Sequence, residues 1–121
     1  MVEQGYPVSP DSRFVRYTAL GDGAALAGSY VADRPMRVAW VGLHVDDTPS
    51  DSEEFTVSYA SAAGRDYDVE VLANDLSADS VTDLSWVPED PFYLMPGDAV
   101  VVAYANTGED VVGVTVLLEV L

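Results

Sequence analysis

The chain has 121 residues and a formal net charge of −16, set by 21 Asp and Glu against five Arg and no Lys. That length makes one domain, and surface scaling puts about two-thirds of the unfolded surface in its interior, enough for a real hydrophobic core. With 49% hydrophobic residues and no cysteine, the composition excludes disulfide staples, thiolate chemistry and zinc–thiolate sites. Its charge argues against nucleic acid as a partner, because a phosphate backbone calls for a basic patch.

In chain order, residues 1–12 are expected to form an N-terminal arm ahead of a single domain over residues 13–121. The opening Met-Val-Glu-Gln-Gly-Tyr-Pro lacks the basic start and apolar run of a signal peptide. No apolar run approaches the roughly 18 residues of a membrane helix, so the chain reads as soluble, unprocessed and without a membrane partner. Residues 13–20 predict a first strand closed by Gly21-Asp22-Gly23, and residues 24–32 a second ended by Asp33-Arg34-Pro35. Residues 36–45 are the third. Residues 54–61 alternate, with Phe55, Val57 and Tyr59 on one face and Thr56, Ser58 and Ala60 on the other, and Tyr67, Val69 and Val71 repeat the pattern. Residues 81–86, 98–105 and 111–120 complete eight strands. Between the sixth and seventh, Pro88, Pro91 and Pro96 remove backbone donors, and Gly97 supplies the positive φ of a tight turn before Asp98.

Eight short strands with turns between them and no convincing helix predict an all-β fold, an antiparallel β-sandwich of jelly-roll type; the alternative is a seven-stranded immunoglobulin-like sandwich. Three strands carry apolar residues on both faces. In residues 36–45 the even face holds Met36, Val38, Trp40 and His44, and the odd face Ala39, Val41, Leu43 and Val45. Residues 98–105 put Val100, Val102 and Tyr104 inward and Ala99, Val101 and Ala103 outward. The last strand puts Val112, Val114, Val116, Leu118 and Val120 inward, with Leu117 and Leu121 outside. Doubled apolar faces predict a subunit interface, with Ala99, Val101, Ala103, Leu117 and Leu121 as its contacts and a homo-oligomer as the result.

Candidate chemistry is sparse. The single His44 has no triad partner in the sequence and reads as a hydrogen-bonded structural imidazole. A cupin-type metal site needs a His-x-His pair, and only His44-Val45-Asp46 is present. In the loop from Asp46 to Glu54, Asp46, Asp47 and Asp51 are the candidate cation ligands, since clustered carboxylates suit calcium. The spacing lacks the order of an EF-hand loop, and a dense acidic surface produces such clusters by chance, so solvated charge is the expectation. Trp40, Trp86 and the tyrosines could form a sugar-stacking platform, but Trp40, Tyr59 and Tyr67 fall on core-facing registers. No cofactor and no catalytic residue is expected.

The order Trp86, Pro88, Pro91, Leu94, Pro96-Gly97-Asp98, a valine-rich strand, then Asn106 and a terminal strand resembles small β-sandwich structural proteins encoded among the head genes of tailed viruses. The resemblance covers the C-terminal third. It implies a non-enzymatic virion component on the capsid surface, a decoration or cement protein, with the major capsid protein or other virion proteins as partners and a homotrimer as the favoured state. The alternative is a carbohydrate-binding or adhesion module of a spike or fibre, which would show loop-borne aromatics. A lysine-free, aspartate-rich surface resembles those of proteins from organisms with molar salt in the cytoplasm, which would make the host a halophile. Self-repulsion at this charge is screened in brine, where the Debye length falls to about 3 Å at 1 M. The thermal midpoint in about 3 M KCl should therefore exceed that in about 0.1 M KCl by roughly 10 °C, or about 2–3 kcal/mol in a domain of this size. Equal midpoints would remove the halophile argument.

Overall fold

A computed structural model describes residues 13–78 and 80–121, so the expected arm over residues 1–12 lies outside the described residues. Nine strands follow one another: β1 (Phe14–Asp22), β2 (Leu26–Val31), β3 (Met36–Val45), β4 (Glu54–Ala60), β5 (Val69–Asp75), β6 (Asp83–Trp86), β7 (Tyr93–Leu94), β8 (Ala99–Tyr104) and β9 (Val111–Val120). One sheet has the order β1-β9-β3-β6, with the two-residue β7 also on β3; the other has the order β2-β8-β4-β5. Every pairing is antiparallel. The long pairs nest: first strand with last, β2 with β8, β3 with β6, β4 with β5. A long ribbon rolled into two facing sheets is the jelly roll. Both of the first two strands are kept, one in each sheet, so the immunoglobulin-like alternative is excluded.

The core lies between the sheets, and β9 follows the expected register. Val112, Val114, Val116 and Leu118 are all essentially sealed from solvent, each contributing roughly 1.5–3 kcal/mol by burial. In β8 the expected inner face, Val100, Val102 and Tyr104, is buried as well.

The third strand corrects the sequence reading. Its register against β9 slips between Val38 and Trp40, where Val38 faces Leu118 and Trp40 faces Leu117, leaving Ala39 as an extra residue. Such a bulge reverses the parity of everything beyond it. Met36 and Val38 from the even series and Val41, Leu43 and Val45 from the odd series therefore enter the same core. The two apolar faces expected of residues 36–45 are one face read through a bulge. Trp40, expected inside, lies on the outer face, where its Nε1 donates to Ser85 Oγ at 2.8 Å. The indole lies across Gly42, whose missing Cβ would fall within 2.1 Å of the ring.

Tyr67 is a second correction. It ends a single 3-10 turn, Arg65–Tyr67, and is 64% exposed. The strand begins only at Val69, and another register shift at Val57/Ser58 sets Leu72 opposite Val57 but Glu70 opposite Ser58. The alternation expected of Tyr67, Val69 and Val71 does not form, and Val69 is 53% exposed.

Two buried polar residues bracket β8. Asp98, 6% exposed, accepts the backbone N–H of Ala62 at 2.9 Å through Oδ1, and the N–H of Met95 at 2.9 Å and the Tyr59 hydroxyl at 3.0 Å through Oδ2. Gly97, at φ 93°, makes the turn ahead of it and donates its N–H to the Ala32 carbonyl, while Ala32 donates to that of Asp98. At the other end of β8, Asn106 takes the left-handed conformation at φ 56° and donates through Nδ2 to the carbonyls of Ala24 and Asp110, both at 2.8 Å. Its Oδ1 accepts the Asp110 N–H at 3.0 Å. Each buried polar group is thus satisfied, as burial demands.

The register of β9 sets a paired test. Val116→Asp places a carboxylate between the sheets, at a cost of several kcal/mol, and should abolish cooperative folding. Thr115→Asp, on the outer face beside Gly42, should melt within about 1 kcal/mol of the parent protein. A soluble Val116→Asp protein with a cooperative thermal transition would refute the register.

Candidate functional site

Strand direction sorts the ionisable residues into two ends. The connections β1–β2, β3–β4, β5–β6 and β8–β9 meet at one end, which carries Asp22, Asp46, Asp47, Asp51, Glu53, Asp75, Asp83, Glu109 and Asp110, and among the described residues no arginine. All five arginines lie in the opposite half: Arg13 and Arg16 with the start of β1, Arg34 before β3, Arg37 within it, and Arg65 before β5. Arg37 bonds Glu119 across β3 and β9 through Nε at 3.0 Å and Nη2 at 2.6 Å.

At the acidic end the candidate cation ligands are occupied as fasteners. Asp46 Oδ1 accepts the Val111 N–H at 3.0 Å, Asp47 Oδ1 accepts the Thr48 N–H at 2.8 Å, and Asp51 Oδ2 accepts the Thr107 hydroxyl at 3.0 Å beside Glu53. Among the described residues no three of His, Asp or Glu are grouped to hold an ion. Their proximity has an electrostatic cost. Partial burial, and then the charges of Asp46, Asp47 and Asp51, push the Asp110 carboxyl above its ordinary range. His44, on the outer face of β3, contacts the facing Asp83 through Nδ1 at 2.8 Å, and that bond holds the Asp83 carboxyl below its ordinary range.

The candidate interface residues divide between opposite faces. Ala99, Val101 and Ala103 lie on the outer face of the β2-β8-β4-β5 sheet, beside Ala27, Ser29 and Val31 of β2 and Thr56, Ser58 and Ala60 of β4. That face is uncharged across β2 and β8 and carries Glu54 at the start of β4, with Glu70 and Asp75 on the edge strand β5. Ala99 is only 8% exposed, which leaves Val101 and Ala103 to offer surface. Leu117 sits on the outer face of the other sheet, between Arg16 and Trp40. Leu121, 61% exposed, follows β9 at the arginine-bearing end. One contact surface cannot hold all five, because the thickness of the sandwich separates them.

A larger feature opens along one side. The edge strands β5 and β6, one from each sheet, and the proline-rich crossing of residues 87–92 that leads from β6 to β7 line a cleft of about 720 Å³. Tyr59, Val71, Trp86 and Phe92 form its apolar interior, with Tyr59 and Phe92 packed edge to face at 6.1 Å. Val69, Val87 and Tyr93 are exposed around it, and Glu70, Glu89 and Asp90 add carboxylates to the lining. Trp86, Pro88 and Pro91 are legible in sequence as sandwich punctuation. Their pairing with β5 is not, since no spacing rule links residues 69–71 to residues 86–93. A shallower groove of about 370 Å³ runs over Gly42 and Gly113 beside Trp40, His44 and Asp83.

No protein-family model and no curated protein matches the sequence. Among solved structures, the chain is similar to a chain of the acidic stable capsid structure of Helicobacter pylori bacteriophage KHP30, at 17% identity and a TM-score of 0.53, over 90% of this chain and 93% of that one. At that identity the likeness is one of fold.

Asp110 and Asp98, at opposite ends of the sandwich, respond oppositely to acid. Asp110 is held above its ordinary range, so its contribution is fully present below the ordinary carboxylate value and lost as pH rises through the elevated one. Asp98 is held below its ordinary range by the N–H of Ala62, against its burial, with Met95 and Tyr59 adding to the effect. Its contribution is present above about pH 4 and lost as pH falls through the lowered value. At low salt the melting midpoint should rise from pH 7 to about pH 5, then fall below about pH 4. Asp110→Asn should flatten the first limb. Asp98→Asn should cost about 1–3 kcal/mol at pH 7, by turning an acceptor toward a backbone donor into a second donor, and should make the acid limb shallower. Unchanged limbs in both variants would contradict these assignments.

Proposed function

We propose that this chain is a non-enzymatic virion structural protein, a capsid decoration or cement protein that binds shell subunits by burial of apolar surface. The carrying observation is the end-to-end match in fold with a chain of a phage capsid structure. Nearly all of each chain takes part, so the whole sandwich has its counterpart there, not a fragment of it. The polarity of the surface supports the same reading. An end without an arginine among the described residues repels copies of itself and suits solvent; the arginines and most of the exposed large apolar residues, Phe14, Val31, Tyr67, Val69, Tyr93, Met95 and Leu121 among them, lie in the opposite half, with Leu20 and Val111 left at the acidic end. Apolar surface concentrated on a highly charged protein marks a contact region. Docking by that half points the acidic loops outward, and a homotrimer about a local symmetry axis would repeat the contact at each neighbour. A tailed virus of a halophilic host fits the lysine-free composition.

The alternative, a carbohydrate-binding module, draws on Trp86, Phe92 and Tyr93, which the 86–93 crossing brings to one cleft. Phe92 is 8% exposed and engaged with Tyr59, which leaves fewer open aromatic faces than a stacking platform needs.

The test is made on particles from the source culture. Antibody raised against the recombinant protein should label intact capsids, and mass spectrometry of purified particles should find the chain in copy numbers comparable with the shell subunit. Particles stripped of it should lose their contents at lower temperature. Purified particles that lack the chain would overturn the reading.

A further inference from the structure

The geometry points to the β5–β6 cleft as the docking site for an extended, positively charged segment of a different virion polypeptide, added as a strand at the sandwich edge. This inference deepens the virion reading and rests on it. β5 ends the order β2-β8-β4-β5 and β6 ends β1-β9-β3-β6, so among the described residues neither has a strand on its outer side. Unpaired edge strands present rows of N–H and C=O groups that template another chain, and proteins guard them with charge, proline or cover. Pro88 and Pro91 stop β6 from extending, yet Val69 at the start of β5 and Val87 just after β6 are 53% and 61% exposed. Two bare edges with valines beside them, over an apolar interior of Trp86 and Val71, suit the alternating side chains of an incoming strand.

Charge selects the occupant. Glu70, Glu89 and Asp90 line the cleft and no arginine does, within a molecule of net charge −16. A cationic segment gains from both the local carboxylates and the overall field, whereas an anionic ligand, nucleic acid included, is repelled. A second copy of this chain does not supply such a segment. Its two most basic stretches, Arg13-Phe14-Val15-Arg16 and Arg34-Pro35-Met36-Arg37, run into β1 and β3, each of which is paired with β9. A segment of about six residues spans the seven residues of β5 with the ends free.

The test uses Trp40→Phe protein, in which Trp86 is the one remaining tryptophan and reports on the cleft. The probe is a blocked octapeptide of alternating arginine and valine, titrated in about 0.3 M KCl. A saturable change in Trp86 emission is expected, with affinity falling at least tenfold in the Glu89→Arg/Asp90→Arg variant, whose thermal midpoint should match the parent's because both positions are exposed. The same peptide with proline at alternate positions, which lacks the edge donors, should bind at least tenfold more weakly. A glutamate–valine octapeptide should not bind. No response to the arginine peptide, equal affinity in the charge-reversed variant, or a response to maltohexaose in place of the peptide would each overturn the proposal. Particle labelling separates this proposal from the one beneath it. If the chain is absent from particles the virion reading fails, whatever the peptide does; if it is present and the charge-reversed variant re-decorates stripped particles as well as the parent, the cleft is not the docking site.

Discussion

The arginine-bearing end of the sandwich hangs on one buried carboxylate, Asp98. Asp98 draws together the β4–β5 loop through Ala62, the end of β4 through Tyr59, and its own turn through Met95. The backbone bonds of Ala32 with Gly97 and Asp98 add the β2–β3 connection. These contacts join three stretches far apart in sequence, residue 32, residues 59–62 and residues 95–98, and a jelly roll needs them to meet, because the nested pairing leaves its loops to be closed by long-range contacts. Loops brought together over such separations lose chain entropy before any contact repays it. A charge-assisted set of bonds, stronger than neutral ones, is a suitable closure. Asn106 does the same work at the far end of β8 without charge, which matters there because the surrounding loops are already crowded with carboxylates.

Burial and charge divide the molecule's surface unequally. The acidic loops spend several carboxylates on neighbouring N–H and hydroxyl groups, so the cluster is a set of turn fasteners that also sets the electrostatic field. Like charge then keeps that end apart from its copies, less so as salt screens it. In the other half, arginines and exposed apolar side chains share a surface that can be desolvated at lower cost. Under the proposed capsid role, this separation would let repulsion at one end decide orientation before contact.

The bulge at Ala39 shows how a local irregularity misleads a functional argument. Apolar residues on both parities of a strand imply two covered faces only if the strand is regular. One inserted residue merges them into a single core face and turns Trp40 outward. The case for an interface therefore no longer rests on β3. It shifts to the outer face around Val101 and Ala103, where the small side chains do point away from the core, and to the open side between β5 and β6.

Alternation and turn chemistry were enough, on the sequence alone, to set the all-β class, the number of long strands, the inner face of β9 and the turn at Gly97, because a strand's side-chain period and glycine's positive φ are local properties. The chain's charge and lack of cysteine were equally plain. Tertiary structure alone decided which strands pair, that the parity of β3 reverses, that Tyr67 leaves the sheet, and that residues 69–71 meet residues 86–93 around a cleft. Each of these depends on contacts between segments distant in sequence, and a bulge or an edge has no residue signature of its own. Alternation places Ala99, Val101 and Ala103 of β8 and Leu117 of β9 away from the inner faces of their strands, yet their division between opposite faces could be seen only once the two sheets were assembled, because face parity within a strand carries no information about the sheet to which that strand belongs.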